Sequence, residues 1–294
     1  MEILDWRRFA IIKAINFCKG GLFMSFSIEI VPPSSPDKVP DYEEMLAGLA
    51  DLQPTSVAVT LGAGQTTTAK EASLVTLTRV QNQMGLPAIA HLTGLYETKA
   101  SVTAFLERLR TINVHQIMAL RGDYQADRQV GDFLHASDLI TYLKTQGDFQ
   151  ISAACYPAGH AEADSLAADL QYLQLKVAVG AERLISQVFF DNQVFYDFTD
   201  RAQTAGINVP IVAGVMPILS LHLVEILTTK MGLTLTPTLE QLVSRYGDDP
   251  VAFRQVGLEF TQRQIEDLQT HQVAGIHLFT MNDLAATKAL CGLN

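Results

Sequence analysis

The sequence predicts an α/β fold, a closed (β/α)8 barrel of parallel strands. Short apolar runs with strand character recur about every 30 residues, eight times in all. Each run is followed by a segment with helical spacing of its apolar residues, and such strict alternation implies a parallel sheet with right-handed crossovers. Eight units within 294 residues suit a closed, TIM-type barrel better than an open doubly wound sheet. No strand is followed by the GxGxxG or P-loop pattern that an open nucleotide-binding sheet would carry.

The first strand is SFSIEIV. Phe26, Ile28 and Ile30 alternate with Ser25, Ser27 and Glu29. One face is therefore apolar and suited to packing under helices, and the other carries two hydroxyls and a carboxylate. Pro32 and Pro33 end the strand, because proline has no N–H to give a ladder. A helix follows at 41–52. SVAVTL (56–61) precedes a glycine-rich turn and a helix over 68–84. PAIAHL (87–92) is followed by a helix at 99–112, and HQIMAL (115–120) by a long loop and a helix at 137–146. QISAACY (150–156) leads to a helix at 161–179, and RLISQVFF (183–190) to one at 194–205. VPIVAGV (209–215) opens an insertion running to about residue 273, long enough for several helices. AGIHLFT (274–280) and a last helix at 284–290 complete the eighth unit.

Residues 25–294 form one catalytic barrel on this reading, and residues 1–24 an N-terminal extension. The run FAIIKAINF (9–17) contains Lys13 and follows Glu2 and Asp5, so it is too short and too charged to span a bilayer. Without a basic n-region or a small-residue cleavage site it does not read as a signal peptide. It fits either an amphipathic helix capping one end of the fold or an extension ahead of Met24. A net charge of −10 and a pI near 5.1 argue against nucleic acid or an anionic membrane surface as the main partner. Cys18, Cys155 and Cys291 lie far apart with no CxxC pair. Neither a disulfide framework nor a thiolate zinc site is expected, and the usage is that of a reducing cytosol.

Active sites on such barrels collect at the C-terminal ends of the strands. Those ends read Glu29, Thr60, His91, Arg121-Gly122-Asp123, Tyr156 with His160, Gln187 and Thr280. Glu29 and Gln187 lie inside strand patterns, where a polar group must find partners or serve chemistry. A carboxylate in a desolvated barrel mouth has its pKa raised, which suits proton donation near neutral pH. Read alone, Glu29 fits equally a solvated carboxylate on an edge strand. Asp123 reads as a second site carboxylate or as a cap or turn residue, and Gly122 permits close backbone approach to a planar ligand. Arg121, His160 and Lys176, with Thr60 and the turn Gly62-Ala63-Gly64, could hold phosphates. Asp169 and Lys176 share one helix face, which read alone is a solvated face. His91 alone is a hydrogen-bonded core histidine more often than a ligand, and with no HExxH or compact ligand cluster no metal is expected.

Taken together these residues resemble the methylenetetrahydrofolate reductase family, from Ser25 to the end of the chain. FSIEIVPPSSP is similar to the family's opening FSFEFFPP. SVAVTLGAG, AHLTG, ALRGD, ASDL, AACYPAGH, SQVFFD, GVMPI and HLFTMN follow in the family's order and near its spacing. The resemblance implies FAD held across the top of the barrel without a Rossmann fingerprint. Thr60, Ala63, His91, Leu120, Arg121, Gly122, Asp123, His135, Ala136, Tyr156, His160, Asp169 and Lys176 fall at flavin-site positions, with His135 where enterobacterial members have Tyr. Glu29 falls at the proton donor, and Glu29, Asp123, Gln187 and Phe279 at pterin contacts.

The implied reaction is ping-pong. NAD(P)H reduces the flavin and leaves, and 5,10-methylenetetrahydrofolate takes its place. Glu29 assists protonation at N10, the five-membered ring opens to an iminium at N5, and hydride from the flavin gives 5-methyltetrahydrofolate for one-carbon and methionine metabolism. Asp123 tunes the flavin electrostatically. The bacterial-type resemblance points to NADH over NADPH, though no residue decides between them. A homo-oligomer and a cytoplasmic location follow from analogy, and no residues correspond to the regulatory C-terminal region of the animal enzymes. Three positions depart from the pattern. Asp283 stands where an Arg could meet the folate glutamate, and an Asp there would repel that tail. Leu223 and Leu227 stand where polar and aromatic folate contacts are expected. These departures keep two other readings open: a flavin-dependent reductase with another substrate, and a non-catalytic flavin-binding partner subunit.

Overall fold

A computed structural model describes residues 25–61 and 67–293. The N-terminal extension and the Gly62-Ala63-Gly64 turn, with Ala63 as a cofactor contact, lie outside the described residues. Eight parallel strands close into a barrel in sequence order: β1 (Ser25–Ile30), β2 (Ser56–Val59), β3 (Ala88–Thr93), β4 (Gln116–Leu120), β5 (Gln150–Cys155), β6 (Arg183–Ser186), β7 (Ile211–Val215) and β8 (Gly275–Phe279). Closure pairs β8 with β1, setting Ser25 opposite Gly275 and Glu29 opposite Phe279. Around the barrel lie α1 (Val39–Leu52), α2 (Thr67–Thr78), α3 (Lys99–Thr111), α4 (Ala136–Thr145), α5 (Leu166–Ala178) and α6 (Asn192–Thr204). The insertion after β7 holds α7 (Leu221–Thr229), α8 (Pro237–Tyr246) and α9 (Pro250–Thr270), and α10 (Leu284–Leu290) follows β8.

The two-residue period of the strands decides what faces where. Phe26, Ile28 and Ile30 point outward into the main core with Met45, Leu46 and Leu49 of α1. The alternate residues line the barrel, where Ala58, Ile89, Met118, Ile185 and Val212 form an apolar plug. Some polar interior groups pair with one another: Arg183 Nε donates to Ser152 Oγ at 3.2 Å, and Ser27 Oγ lies 2.8 Å from His277 Nδ1. A second core joins α7, α8 and α9 through Leu227, Leu239 and Phe253. There α9 approaches the chain after β7 closely. A Cβ at Gly257 would lie 2.0 Å from Ile218 O, and Thr261 Oγ1 accepts the Ile218 N–H at 3.2 Å.

Two boundaries differ from expectation for local reasons. The helix expected from 161 starts at Leu166, because the Ser165 hydroxyl caps it by accepting the Ala168 N–H at 3.1 Å. The strand expected to reach Phe190 stops at Ser186. The Gln187 side chain accepts the Val188 N–H at 2.8 Å and Gln264 Nε2 donates to Phe189 O, so the ladder is replaced by side-chain bonds.

Candidate active site

At the C-terminal ends of the strands lies a cavity of about 540 Å³. Glu29, Thr60, His91, Leu120, Arg121, Gly122, Asp123, Tyr156, His160, Gln187 and Phe279 all line it. A smaller cavity of about 240 Å³ shares Leu120, Arg121, Tyr156 and His160 with the first and adds His135, Ala136, Asp169 and Lys176. The described residues singled out from the sequence as site residues thus converge on one continuous cleft that runs from the barrel mouth out between α4 and α5.

Glu29 is held from behind. The Thr280 hydroxyl donates to Glu29 O at 2.6 Å, and Asn282 brackets the residue two further on, accepting from Val31 N at 3.0 Å and donating to Val31 O at 2.7 Å. Thr280 therefore does not face the cleft, as its strand-end position had suggested, but positions the acid's backbone. Burial of the carboxyl raises its pKa from 4.5 to about 7. His91 Nε2 lies 3.5 Å from the carboxylate, and burial lowers the imidazole to about 4, so it is neutral at pH 7 and lends no positive charge. Behind them His277 is neutral for the same reason, at about 3, and packs edge-on against Phe279 with centroids 5.0 Å apart. Gly214 leaves room for this: a Cβ there would lie 2.9 Å from the Phe279 ring.

Asp123 follows Gly122, whose φ of 89° turns the chain sharply after β4. Its carboxylate is exposed and accepts no hydrogen bond from a described residue, so it is neither a cap nor a turn lock. The neighbouring loop supplies the rigidity instead: Tyr96 OH bonds both Gln125 N and Gln125 O, and Arg128 lies 4.1 Å over the Tyr96 ring. Gln187 spends its amide oxygen on Val188, which leaves its N–H donors for a ligand.

Around the smaller cavity, Asp169 Oδ2 accepts the His160 N–H at 3.1 Å, and Lys176 Nζ donates to Ala154 O at 3.0 Å. Burial lowers the Lys176 pKa. This pair is a structural clamp beside the cleft and not a solvated helix face. Arg121 is gripped by both oxygens of Glu162, which keeps the guanidinium charged. His135 is exposed before α4, and its N–H is capped by Asp138 Oδ2 at 2.8 Å.

The hydroxyls of Thr60 and Thr93 are buried without a hydrogen-bond partner, and both residues line the larger cavity. Unpaired buried hydroxyls are costly, and a planar heterocycle with ring N–H and C=O groups would satisfy them. The cations at the outer end suit a phosphate-bearing arm. Among the described residues no group of three or more His, Cys, Asp or Glu side chains is arranged to hold a metal. Thr93, Gln125, His277 and Glu162 also line these walls. Thr93 and His277 were findable by strand alternation, two residues from His91 and Phe279. Gln125 and Glu162 sit on loops whose sequence gives no such period.

The three departures fall away from the cleft. Asp283 caps α10 by accepting from Ala286 N at 2.8 Å and pairs with Arg254 at 2.8 Å, so its charge is partly offset by the guanidinium. Leu227 is buried in the α7–α9 core, and Leu223 packs against the same core.

A profile for methylenetetrahydrofolate reductase matches residues 18–293. The 5,10-methylenetetrahydrofolate reductase of Pectobacterium carotovorum subsp. carotovorum is 29% identical over 285 residues, covering 97% of this chain and 94% of its own. That of Escherichia coli (strain K12) is 30% identical over 285 residues, 97% of this chain and 95% of its own. Methylenetetrahydrofolate reductase (NADH) 1 of Arabidopsis thaliana is 32% identical over 290 residues, 92% of this chain and 48% of its own. Among solved structures, a Clostridium thermocellum protein that binds two copies of 5-methyl-5,6,7,8-tetrahydrofolic acid shares the fold, with a TM-score of 0.64 at 14% identity over 92% of this chain and 94% of that one. The motifs, the closed barrel and the profile match agree: the chain belongs to the methylenetetrahydrofolate reductase family.

Proposed function

We propose that this protein reduces 5,10-methylenetetrahydrofolate to 5-methyltetrahydrofolate, using FAD and a reduced nicotinamide nucleotide. FAD, when bound, carries hydride from NAD(P)H to the folate. The larger cavity, with its unpaired Thr60 and Thr93 hydroxyls, suits the ring system, and the smaller one, with Arg121, His160 and Lys176, suits the phosphate-bearing arm.

The observation that carries the reading is Glu29, an acid with a pKa near 7 facing a ligand-sized cavity in a chain of this family. An acid so poised can donate a proton at neutral pH. Its proton goes to N10 of the folate, the bond from N10 to the methylene carbon breaks, and the carbon left on N5 becomes the electrophile that accepts hydride. Neutral His91 keeps Glu29 from being locked in its ionised form. Asp123 offers an uncommitted carboxylate and Gln187 uncommitted N–H donors to the pterin edge. Asp283 pairs with Arg254 and lines neither cavity, so it does not oppose a folate in the cleft. No helix among the described residues is long and apolar enough to cross a membrane, and the buried thiol of Cys155 suits a reducing cytosol.

The test is a pair of half-reactions. Purified protein reconstituted with FAD should be yellow, bleach on anaerobic addition of NADH or NADPH, and regain colour with methylenetetrahydrofolate. Bleaching without reoxidation by the folate would assign another acceptor. A protein that takes up no flavin would end the proposal.

A further inference from the structure

The outer end of the cleft already holds an anion of the protein's own. All three guanidinium nitrogens of Arg121 are engaged: Nε donates to Gly122 O at 3.1 Å, Nη2 to Glu162 Oε1 at 2.9 Å, and Nη1 to Glu162 Oε2. Both residues line the smaller cavity. The neighbouring basic groups do not relieve this. Lys176 is committed to Ala154 O, and His160 Nδ1 accepts the backbone N–H of Glu162 itself at 3.1 Å. A carboxylate in this two-pronged grip uses the same fork that a phosphate would use. The Glu162 side chain is 58% exposed on the turn between β5 and α5, whereas Arg121 is 28% exposed. The glutamate can swing into water at the cost of a weak surface pair, while the guanidinium stays at the cleft.

We propose that Glu162 is a specificity-determining residue for the cofactor, a resident counter-ion of Arg121 that only a phosphoryl-bearing ligand can displace. Binding of such a ligand is then an exchange of anions: the carboxylate leaves, the phosphate takes both guanidinium prongs, and net pairing is preserved. A flavin without phosphate leaves the pair intact and gains nothing from Arg121. Removing the Glu162 charge therefore strengthens phosphoryl-bearing ligands alone. This inference rests on the flavin reading above.

The experiment titrates the apoprotein with FAD and with riboflavin, followed by quenching of flavin fluorescence. Glu162→Gln should tighten FAD about two- to fivefold, the strength of an exposed pair, and leave riboflavin unchanged. Glu162→Ala should repeat the gain. In an Arg121→Gln background the Glu162→Gln gain should vanish, because no guanidinium remains to be freed. A wild type that binds neither flavin overturns the function and this inference together. A wild type that binds FAD, with Glu162→Gln neutral, weaker, or equally improved for riboflavin, overturns this inference alone.

Discussion

Glu29 keeps its proton to about pH 7 because the strands around it exclude water and its nearest titratable neighbour, His91, is neutral there. The acid is competent when protonated, so the folate half-reaction should decline as pH rises through about 7. Glu29→Gln has no proton to give. It should lose about 10²- to 10⁴-fold in folate reduction while NADH-dependent bleaching of the flavin stays within a few-fold, measured by anaerobic stopped-flow; equal loss of both half-reactions would refute the assigned role. The same carboxyl weakens the fold. Below pH 4.5 it is protonated folded and unfolded alike, so it has no effect. Between 4.5 and 7 the unfolded chain ionises and the folded one does not, and the cost to folding grows until it levels off above 7. Glu29→Gln should therefore match wild type in urea unfolding at pH 4 and exceed it by up to about 3 kcal/mol at pH 8. A gain of the same size at both pH values would mean that burial of the charge is not its source.

The loops after β3 and β4 act as one element. Gly131 N donates to Leu95 O at 2.7 Å, Asp132 N to Glu97 O at 2.8 Å, and Asp132 Oδ2 accepts from Lys99 N at 2.8 Å. Glu97 is buried under them, paired with Lys70 at 2.5 Å and Ser101 at 2.6 Å. A Cβ at Gly131 would lie 2.2 Å from Glu97 O, so Gly131→Ala must push the two loops apart. It should cost about 1–3 kcal/mol and loosen flavin binding, since Arg121, Gly122 and Asp123 ride on the displaced loop; thermal unfolding and flavin titration check both. Unchanged flavin affinity would show that the loop docking does not set the site. None of this docking was legible in the sequence. Strand alternation turned Glu29 away from the outer apolar face, and its side chain lines the cavity, because a period of two decides which side of a barrel wall a residue faces. Partnerships across loops have no period: Arg254 pairs with Asp283 from 29 residues away, and Glu162 grips Arg121 from 41 away. Leu227 misled for the same reason, since its burial is decided by α8 and α9 and not by its own helix.

Across the whole barrel the labour is divided by strand. The walls from β2 to β5 and their loops carry Thr60, His91, Arg121, Asp123 and Tyr156, the groups suited to the cofactor. The closing seam of β8 and β1 carries the acid, held by Thr280 and Asn282 from β8's end and by the buried Ser27–His277 bond lower down. A closed barrel has no free edge, so loosening the seam is felt by global stability as well as by Glu29. Asn282→Ala removes both bonds to Val31 and leaves a partly buried N–H and C=O unpaired. The cost should be about 1–3 kcal/mol, which for a chain of this size lowers Tm by roughly 2–10 °C. If the division holds, FAD affinity should stay within about twofold, because Arg121, Asp123 and Tyr156 sit after β4 and β5, which do not pair with the seam strands, while folate reduction falls through misplacement of the Glu29 proton. Stopped-flow half-reactions beside a flavin titration separate the two, and an Asn282→Ala protein that lost flavin and folate reduction in parallel would show instead that seam and wall move as one body.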